Sequence, residues 1–217
     1  MQMRHHCRIC AWLYNNGLSV LFFALFVAAL AVQSISGLVG YNEHLSVHSL
    51  PPIGYLDYLS TGDFLDGVFT NWQAAILQLA ALIIFGGALH QKGASHSRRP
   101  EGDSSEKRRA EGAGETWVYR HSLSMAFTLY FMGSFTAHVI FGSWSYNEAR
   151  ALAGQPPVQV GDYLLTGTFW NKTCQTWEAE FFAIGLFLVS SIFLREQASV
   201  VSKPVRSANQ DTGETNK

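Results

Sequence analysis

Residues 41–64 read YNEHLSVHSLPPIGYLDYLSTGDF, and residues 146–169 read YNEARALAGQPPVQVGDYLLTGTF. The second stretch repeats the first, without a gap, 105 residues later: Tyr-Asn-Glu, Pro-Pro, Asp-Tyr-Leu and Thr-Gly-x-Phe all recur. The correspondence extends outward to residues 16–93 and 121–198, and it matches Trp72 with Trp177. A unit of about 80 residues is too long for one turn of a solenoid, so it reads as a duplicated half of one structure. The most closely matched residues lie between apolar stretches, which makes the connections between helices the informative part of the chain.

Four apolar stretches, about 18–38, 71–89, 122–142 and 177–194, flank the two motifs. Each approaches the ~20 residues that carry a helix across ~30 Å of hydrocarbon. No Lys, Arg, Asp or Glu falls within 18–40, 67–89 or 122–147. A soluble four-helix bundle would carry a charged face on each helix, and these carry none. The fold class expected is therefore all-α: an integral membrane four-helix bundle of two tandem helical hairpins with short extracytoplasmic capping helices. The domain reading is an N-terminal tail (1–15), repeat 1 (16–93), a basic, disordered linker (94–120), repeat 2 (121–198) and a disordered tail (199–217).

Thirteen of the fifteen basic residues lie before the first span, between the second and third, or after the fourth. Only Arg150 and Lys172 lie on the opposite side. By the positive-inside tendency both termini and the linker are cytoplasmic, and the two matched loops face outward. The first span resembles a signal peptide, with Ala29-Leu30-Ala31 as a cleavage site. Its counterpart at 122–142 is interior to the chain, which favours an uncleaved helix. Within each loop, Pro-Pro ends the outgoing helix, a short helical piece follows, and Thr61 or Thr166 caps the returning helix.

These motifs (Tyr-Asn-Glu, Pro-Pro, Tyr-Leu-x-Thr-Gly-x-Phe, then Trp at the mouth of an apolar helix) resemble a family of small bacterial four-pass membrane proteins described only as a domain of unknown function. The resemblance covers both copies and stops in the tails and linker. In that family an acidic pair often follows the Trp; Trp177-Glu178-Ala179-Glu180 keeps it and Trp72-Gln73-Ala74-Ala75 does not. The resemblance implies the bacterial cytoplasmic membrane as location and brings no activity.

Candidate chemistry is sparse. Counted inward from the outer ends of the third and fourth spans, His138 and Glu180 fall at similar depth, so they are the expected intramembrane polar pair. Gln33 and Ala75 stand at the matching positions of the first copy. The repeated loop places Tyr41, Asn42, Glu43, Asp57, Tyr58 and Trp72 outside in one copy and Tyr146, Asn147, Glu148, Asp162, Tyr163 and Trp177 in the other. Their carboxylates and phenols could face a hard cation, but their spacing matches no calcium loop, and the expected role is structural. Trp72 and Trp177 read as interfacial belt residues.

Cys7 and Cys10 form a single Cys-x-x-Cys, a weak metal candidate; Cys174 stands alone, unlike the paired outer cysteines of quinone-linked disulfide oxidoreductases. Asn171-Lys172-Thr173 is a glycosylation sequon that matters only in a eukaryotic secretory pathway. The function expected is non-enzymatic, with the outward cap as a sensing or interaction surface. The alternative is a small transporter or channel using His138 and Glu180, and a membrane redox protein ranks behind both. The expected partners are the lipid bilayer and a second copy or another membrane protein; no cofactor, metal or nucleic acid is expected.

Overall fold

The computed structural model describes residues 8–97 and 116–213, and all regular structure in them is helical. The elements are α1 (Arg8–Val47), α2 (Tyr55–Tyr58), α3 (Gly62–Ala88), α4 (Trp117–Arg120), α5 (Ser122–Leu152), α6 (Val160–Leu164) and α7 (Gly167–Phe193). Four helices are long and apolar enough to cross a membrane: Ala11–Val47, Gly62–Ala88, Ser122–Leu152 and Gly167–Phe193. The two returning helices begin well before the apolar stretches that announce them, at Gly62 rather than near 71 and at Gly167 rather than near 177. Hydropathy marks where lipid begins, whereas the helix starts at its cap. The Thr61 and Thr166 hydroxyls accept the backbone N–H of Phe64 at 3.3 Å and of Phe169 at 3.2 Å, satisfying donors that the first turn leaves open.

The chain divides into two compact units, Met1–Phe64 and Leu65–Lys217. In the first, the outgoing helix α1 ends at Val47, and Ser49 adopts a left-handed backbone (φ 57°) that brings the Leu50 N–H to the Leu45 carbonyl at 3.0 Å. Asn42 then grips one peptide residue from both sides: its Oδ1 accepts the Ile53 N–H at 2.8 Å and its Nδ2 donates to the Ile53 carbonyl at 3.1 Å. That grip folds the Pro-Pro segment back against α1 and delivers Tyr58. The Tyr58 ring is buried against Tyr41 and Phe64, at 5.5 Å each. It also lies over Gly37, where a Cβ would collide with the phenol oxygen and sit 2.9 Å from Cζ.

Burial, and then the Asp63 carboxylate 3.3 Å from the phenol oxygen, push the Tyr58 pKa from 10.0 to about 12. A folded pKa raised above the unfolded value means that the neutral phenol is the form the fold stabilises. Its contribution is intact below pH ~10 and is lost as pH rises toward 12. We expect helicity and phenolate absorbance to change together in that window for the protein in detergent, and Tyr58→Phe to remove the Tyr58 share of the absorbance step. A Tyr58 that ionised near pH 10 without structural change would refute this packing.

The second unit holds most of α3 together with α4 to α7. The hydrogen bonds that shape the first loop recur here 105 residues on. Asn147 brackets Val158 at 2.9 and 3.0 Å, and Gly154, at φ 67°, takes the place of Ser49, with Gln155 N–H on the Arg150 carbonyl at 2.8 Å. Gly supplies this conformation without the steric cost that Ser49 bears. Tyr163 is buried against Tyr146 and Phe169, at 5.3 Å each, and its oxygen would lie 2.6 Å from a Cβ on Gly142. Burial, then Asp66 and Tyr146, raise its pKa above the ordinary phenol value.

Helix α5 runs antiparallel to α7, with Phe135 near Trp177 and His138 near Thr173. Helix α3 lies alongside both: Phe69 stacks on Phe141 at 5.3 Å, and Gln78 reaches the Glu180 carbonyl at 3.3 Å. At the end of the second unit opposite its own loop, residues 199–213, whose composition predicts disorder, form turns closed on the start of the linker. Lys203, only 2 % exposed, donates to the carbonyls of Gly93, Ile192, Ala208, Asn209 and Asp211 at 2.6–3.4 Å. One ammonium gathers carbonyls from three segments, so order here does not need apolar residues. Burial, then Arg195, holds the Lys203 pKa below the usual lysine range. Residues 98–115 of the expected linker lie outside the described residues.

Candidate functional site

The loop-side halves of α3, α5 and α7 enclose a polar core. His138 is fully buried. Its Nδ1 lies 2.8 Å from Asp66 Oδ1 and 2.9 Å from Thr70 Oγ1, and its Nε2 lies 3.0 Å from Thr173 Oγ1. Thr70 also donates to Asp66 Oδ1 at 3.1 Å. The second Asp66 oxygen, Oδ2, is taken by the Lys172 ammonium. Asp66, Thr70 and Thr173 are each 2 % exposed or less, whereas the Lys172 side chain is 41 % exposed. Phe169 stacks on the imidazole at 5.3 Å, and its own ring is fully buried. The ionisable groups facing His138 are therefore Asp66 from α3 and Lys172 from α7, with the Tyr163 phenol of α6 next to Asp66.

The polar core continues away from the loop for about one turn. Gln73, fully buried, donates to the Thr70 carbonyl at 3.0 Å and accepts the Trp177 indole N–H at 2.8 Å. Trp177 is thus bound to the helix core and is not a free belt residue, whereas Trp72 is 38 % exposed with its ring edge-on to Phe69.

The partner of His138 is Asp66, not Glu180. Both imidazole nitrogens are occupied by Asp66, Thr70 and Thr173, and Glu180 stands seven residues beyond Thr173 on α7, about 10 Å further along the axis. The depth count that paired them began at Trp177, ten residues inside the true start of α7. Glu180 is half-buried, and its backbone carbonyl takes the Gln78 amide. One sequence signal pointed to the correct partners. Asp66, Gly67, Val68 and Thr70 of the first copy correspond to Asn171, Lys172, Thr173 and Gln175 of the second, so the site lies where the copies diverge.

The loop motif divides by role. Asn42, Asn147, Tyr41, Tyr146, Tyr58 and Tyr163 shape the loops as described, while Glu43, Asp57 and Asp162 are exposed and Glu148 is half-buried. Among the described residues no group of three or more His, Cys, Asp or Glu side chains is gathered to hold a metal ion. Cys7 lies outside the described residues, Cys10 falls in the first turn of α1, and Cys174 is exposed.

Chemically, the core can hold a proton without rearranging. A neutral His138 donates from Nδ1 to Asp66 and accepts at Nε2 from the Thr173 hydroxyl. A protonated His138 donates from both nitrogens, and Thr173 needs only to rotate its hydroxyl to accept. Each imidazole nitrogen has a hydrogen-bond partner in either state. A Ser or Thr hydroxyl at this point is what allows both states.

Helices of this length and apolarity, closed around a buried carboxylate–imidazole pair, define a helical protein with four candidate membrane spans and a protonatable core. The chain belongs to the family described as Domain of unknown function (DUF6766), whose model matches residues 9–214. No curated protein and no solved structure matches the chain.

Proposed function

We propose that the chain is a non-enzymatic, multi-pass protein of the bacterial cytoplasmic membrane, built of two duplicated helical hairpins with outward-facing short helices. In this reading the Asp66–His138 core is a proton-responsive latch beneath the second outward loop. The observation that carries it is the complete burial of His138 with Asp66 on one nitrogen and Thr173 on the other. Lys172 supplies the link to water, since it binds the buried carboxylate while remaining partly exposed. The charge asymmetry of the sequence supports the orientation, with both termini inside. The loop hydrogen bonds that recur 105 residues apart support the duplication. Protonation of His138 leaves Asp66 flanked by two cations instead of one, and the Asp66 neighbour Tyr163 passes the change to the loop.

The test is the pH dependence of the thermal unfolding midpoint of the detergent-purified protein. A pH-dependent step is expected in the wild type and is expected to be absent in His138→Gln. Equal profiles for the two would reduce the core to a hydrogen-bond lock.

A second reading, a small transporter, is favoured by the inward continuation of polar groups through Gln73, Thr176 and Trp177 to the Gln78–Glu180 contact. Proteoliposomes with a proton or cation gradient decide it. Flux that Glu180→Gln reduces would support transport, and no flux would end this reading.

A further inference from the structure

At the inner end of the second unit, α3 and α7 part to leave a groove of about 360 Å³. Its walls are apolar and aromatic, chiefly Leu82, Phe85, Leu89, Phe181, Ile184 and Leu188, and its mouth carries His90, Gln91, His96 and Ser97. From Ala81 to Leu89 the groove follows eight residues of helix, about 12 Å. The mouth is a built turn. The Gln91 N–H donates to Ser97 Oγ at 2.6 Å, His90 Nδ1 lies 3.5 Å from the same oxygen, and the His96 ring packs on Phe187 at 5.5 Å. Ser95 N–H is tied to Ser191 Oγ at 3.2 Å, which fastens the turn to α7. Two imidazoles are thereby fixed at the rim of an apolar slot.

The charge at the rim selects the occupant. The described residues 90–97 read HQKGASHS, with Lys92 and two histidines and no carboxylate. The carbonyls at the end of α7, which would repel an anion, are already occupied. Arg195 takes those of Ser191, Ile192 and Leu194, and Lys203 also reaches Ile192. An apolar slot whose mouth carries two imidazoles beside Lys92, with Arg195 and Lys203 against Asp211 behind the turn, fits an amphiphile with one chain and an anionic head. Nothing in the slot would hydrate a polar occupant along its length.

We propose that this groove binds one acyl chain of an anionic phospholipid, with its phosphate at the His90 and His96 imidazoles and Lys92. The proposal rests on the membrane reading above and on the inner end facing the cytoplasmic leaflet.

The two parts of the site can be altered separately. Gly86 and Gly185 line the groove, and a Cβ at either meets nothing within 4 Å, so Gly185→Leu fills the slot without disturbing the helices. His90→Gln with His96→Gln removes the rim. The full chain, purified in detergent, is titrated with phosphatidylglycerol, phosphatidylcholine or inorganic phosphate, with the unfolding midpoint and native mass spectrometry as readouts. Phosphatidylglycerol is expected to raise the midpoint by several degrees and to remain bound at one per chain. Gly185→Leu is expected to abolish the shift, and the double His variant to erase the preference over phosphatidylcholine.

Equal shifts with both lipids, a shift with inorganic phosphate alone, or an unchanged response in Gly185→Leu would each overturn the site. Vesicle-reconstituted protein is extracted with alkaline carbonate in parallel. A chain that resists extraction but shows no lipid preference refutes the groove proposal alone, whereas a chain that is extracted refutes the membrane reading as well.

Discussion

Asp66→Ala is expected to cost about 3 kcal/mol of stability or more, the largest loss from any single truncation in the polar core. The substitution takes the carboxylate acceptor from the Nδ1 proton of a fully buried imidazole and leaves it only the Thr70 hydroxyl, 2.9 Å away. Leaving one buried donor unpaired costs ~1–3 kcal/mol by itself. The Thr70 hydroxyl loses its acceptor on Asp66 in the same step. Lys172 behaves differently. Its side chain is 41 % exposed, so it can turn to water when its partner goes, and Lys172→Met is expected to cost under about 1 kcal/mol. Asp66→Asn keeps one oxygen and should fall between the two. Equilibrium unfolding in mixed micelles measures all three, and equal losses for Asp66→Ala and Lys172→Met would show that the carboxylate is not buried as described.

Gly142→Ala is expected to be strongly destabilising for the addition of a single methyl group. The new Cβ would lie 2.6 Å from the Tyr163 oxygen, 2.9 Å from Asp66 Oδ1 and 3.2 Å from Tyr163 Cε1. Neither neighbour can withdraw freely, since the tyrosine is 2 % exposed and the carboxylate is held from two sides. Overpacking of this kind costs ~1–3 kcal/mol. Tyr163→Phe removes the nearest clashing atom, so the double variant should recover part of the loss. Gly133→Ala, on the same helix with nothing within 4 Å of its Cβ, should be neutral or stabilising by up to ~1 kcal/mol. Additive losses for Gly142→Ala and Tyr163→Phe would mean that the two residues are not in contact.

Much of the fold could be read before any coordinates. The helical class, the four apolar helices, the threonine caps and the short helices after Pro-Pro follow from composition, capping chemistry and the matched motifs. Helix starts were placed late, because transfer of side chains into lipid and hydrogen bonding of the backbone set different boundaries: Thr61 and Thr166 start the helices, while apolar residues dominate only from about 71 and 177. That difference, nine residues in the first copy and ten in the second, decided the site. Asp66 lies just outside the charge-free stretch beginning at Gly67 and ahead of the apolar stretch near 71, so nothing in the sequence marks it as a partner of His138, and depth alone pairs His138 with Glu180.

A buried histidine can be recognised in one dimension, but its partner depends on how three helices are aligned along their axes. Phe69 on Phe141 and Gln73 on Trp177 set that alignment, and neither pair has a sequence signature. The order of residues 199–213 was hidden for a related reason. It rests on one lysine and the backbone carbonyls it gathers, and backbone groups are the same in every sequence.

The asparagines that grip Ile53 and Val158 carry a consequence for how such a gene can change. Each holds both the N–H and the C=O of a residue eleven positions ahead, so the intervening segment has a fixed length. Inserting or deleting a single codon there would present the wrong peptide to the carboxamide, and the tyrosine five residues further on would miss its glycine. Substitutions can accumulate in these loops, as they have between Ser49 and Gly154, but insertions and deletions have to fall elsewhere in the chain.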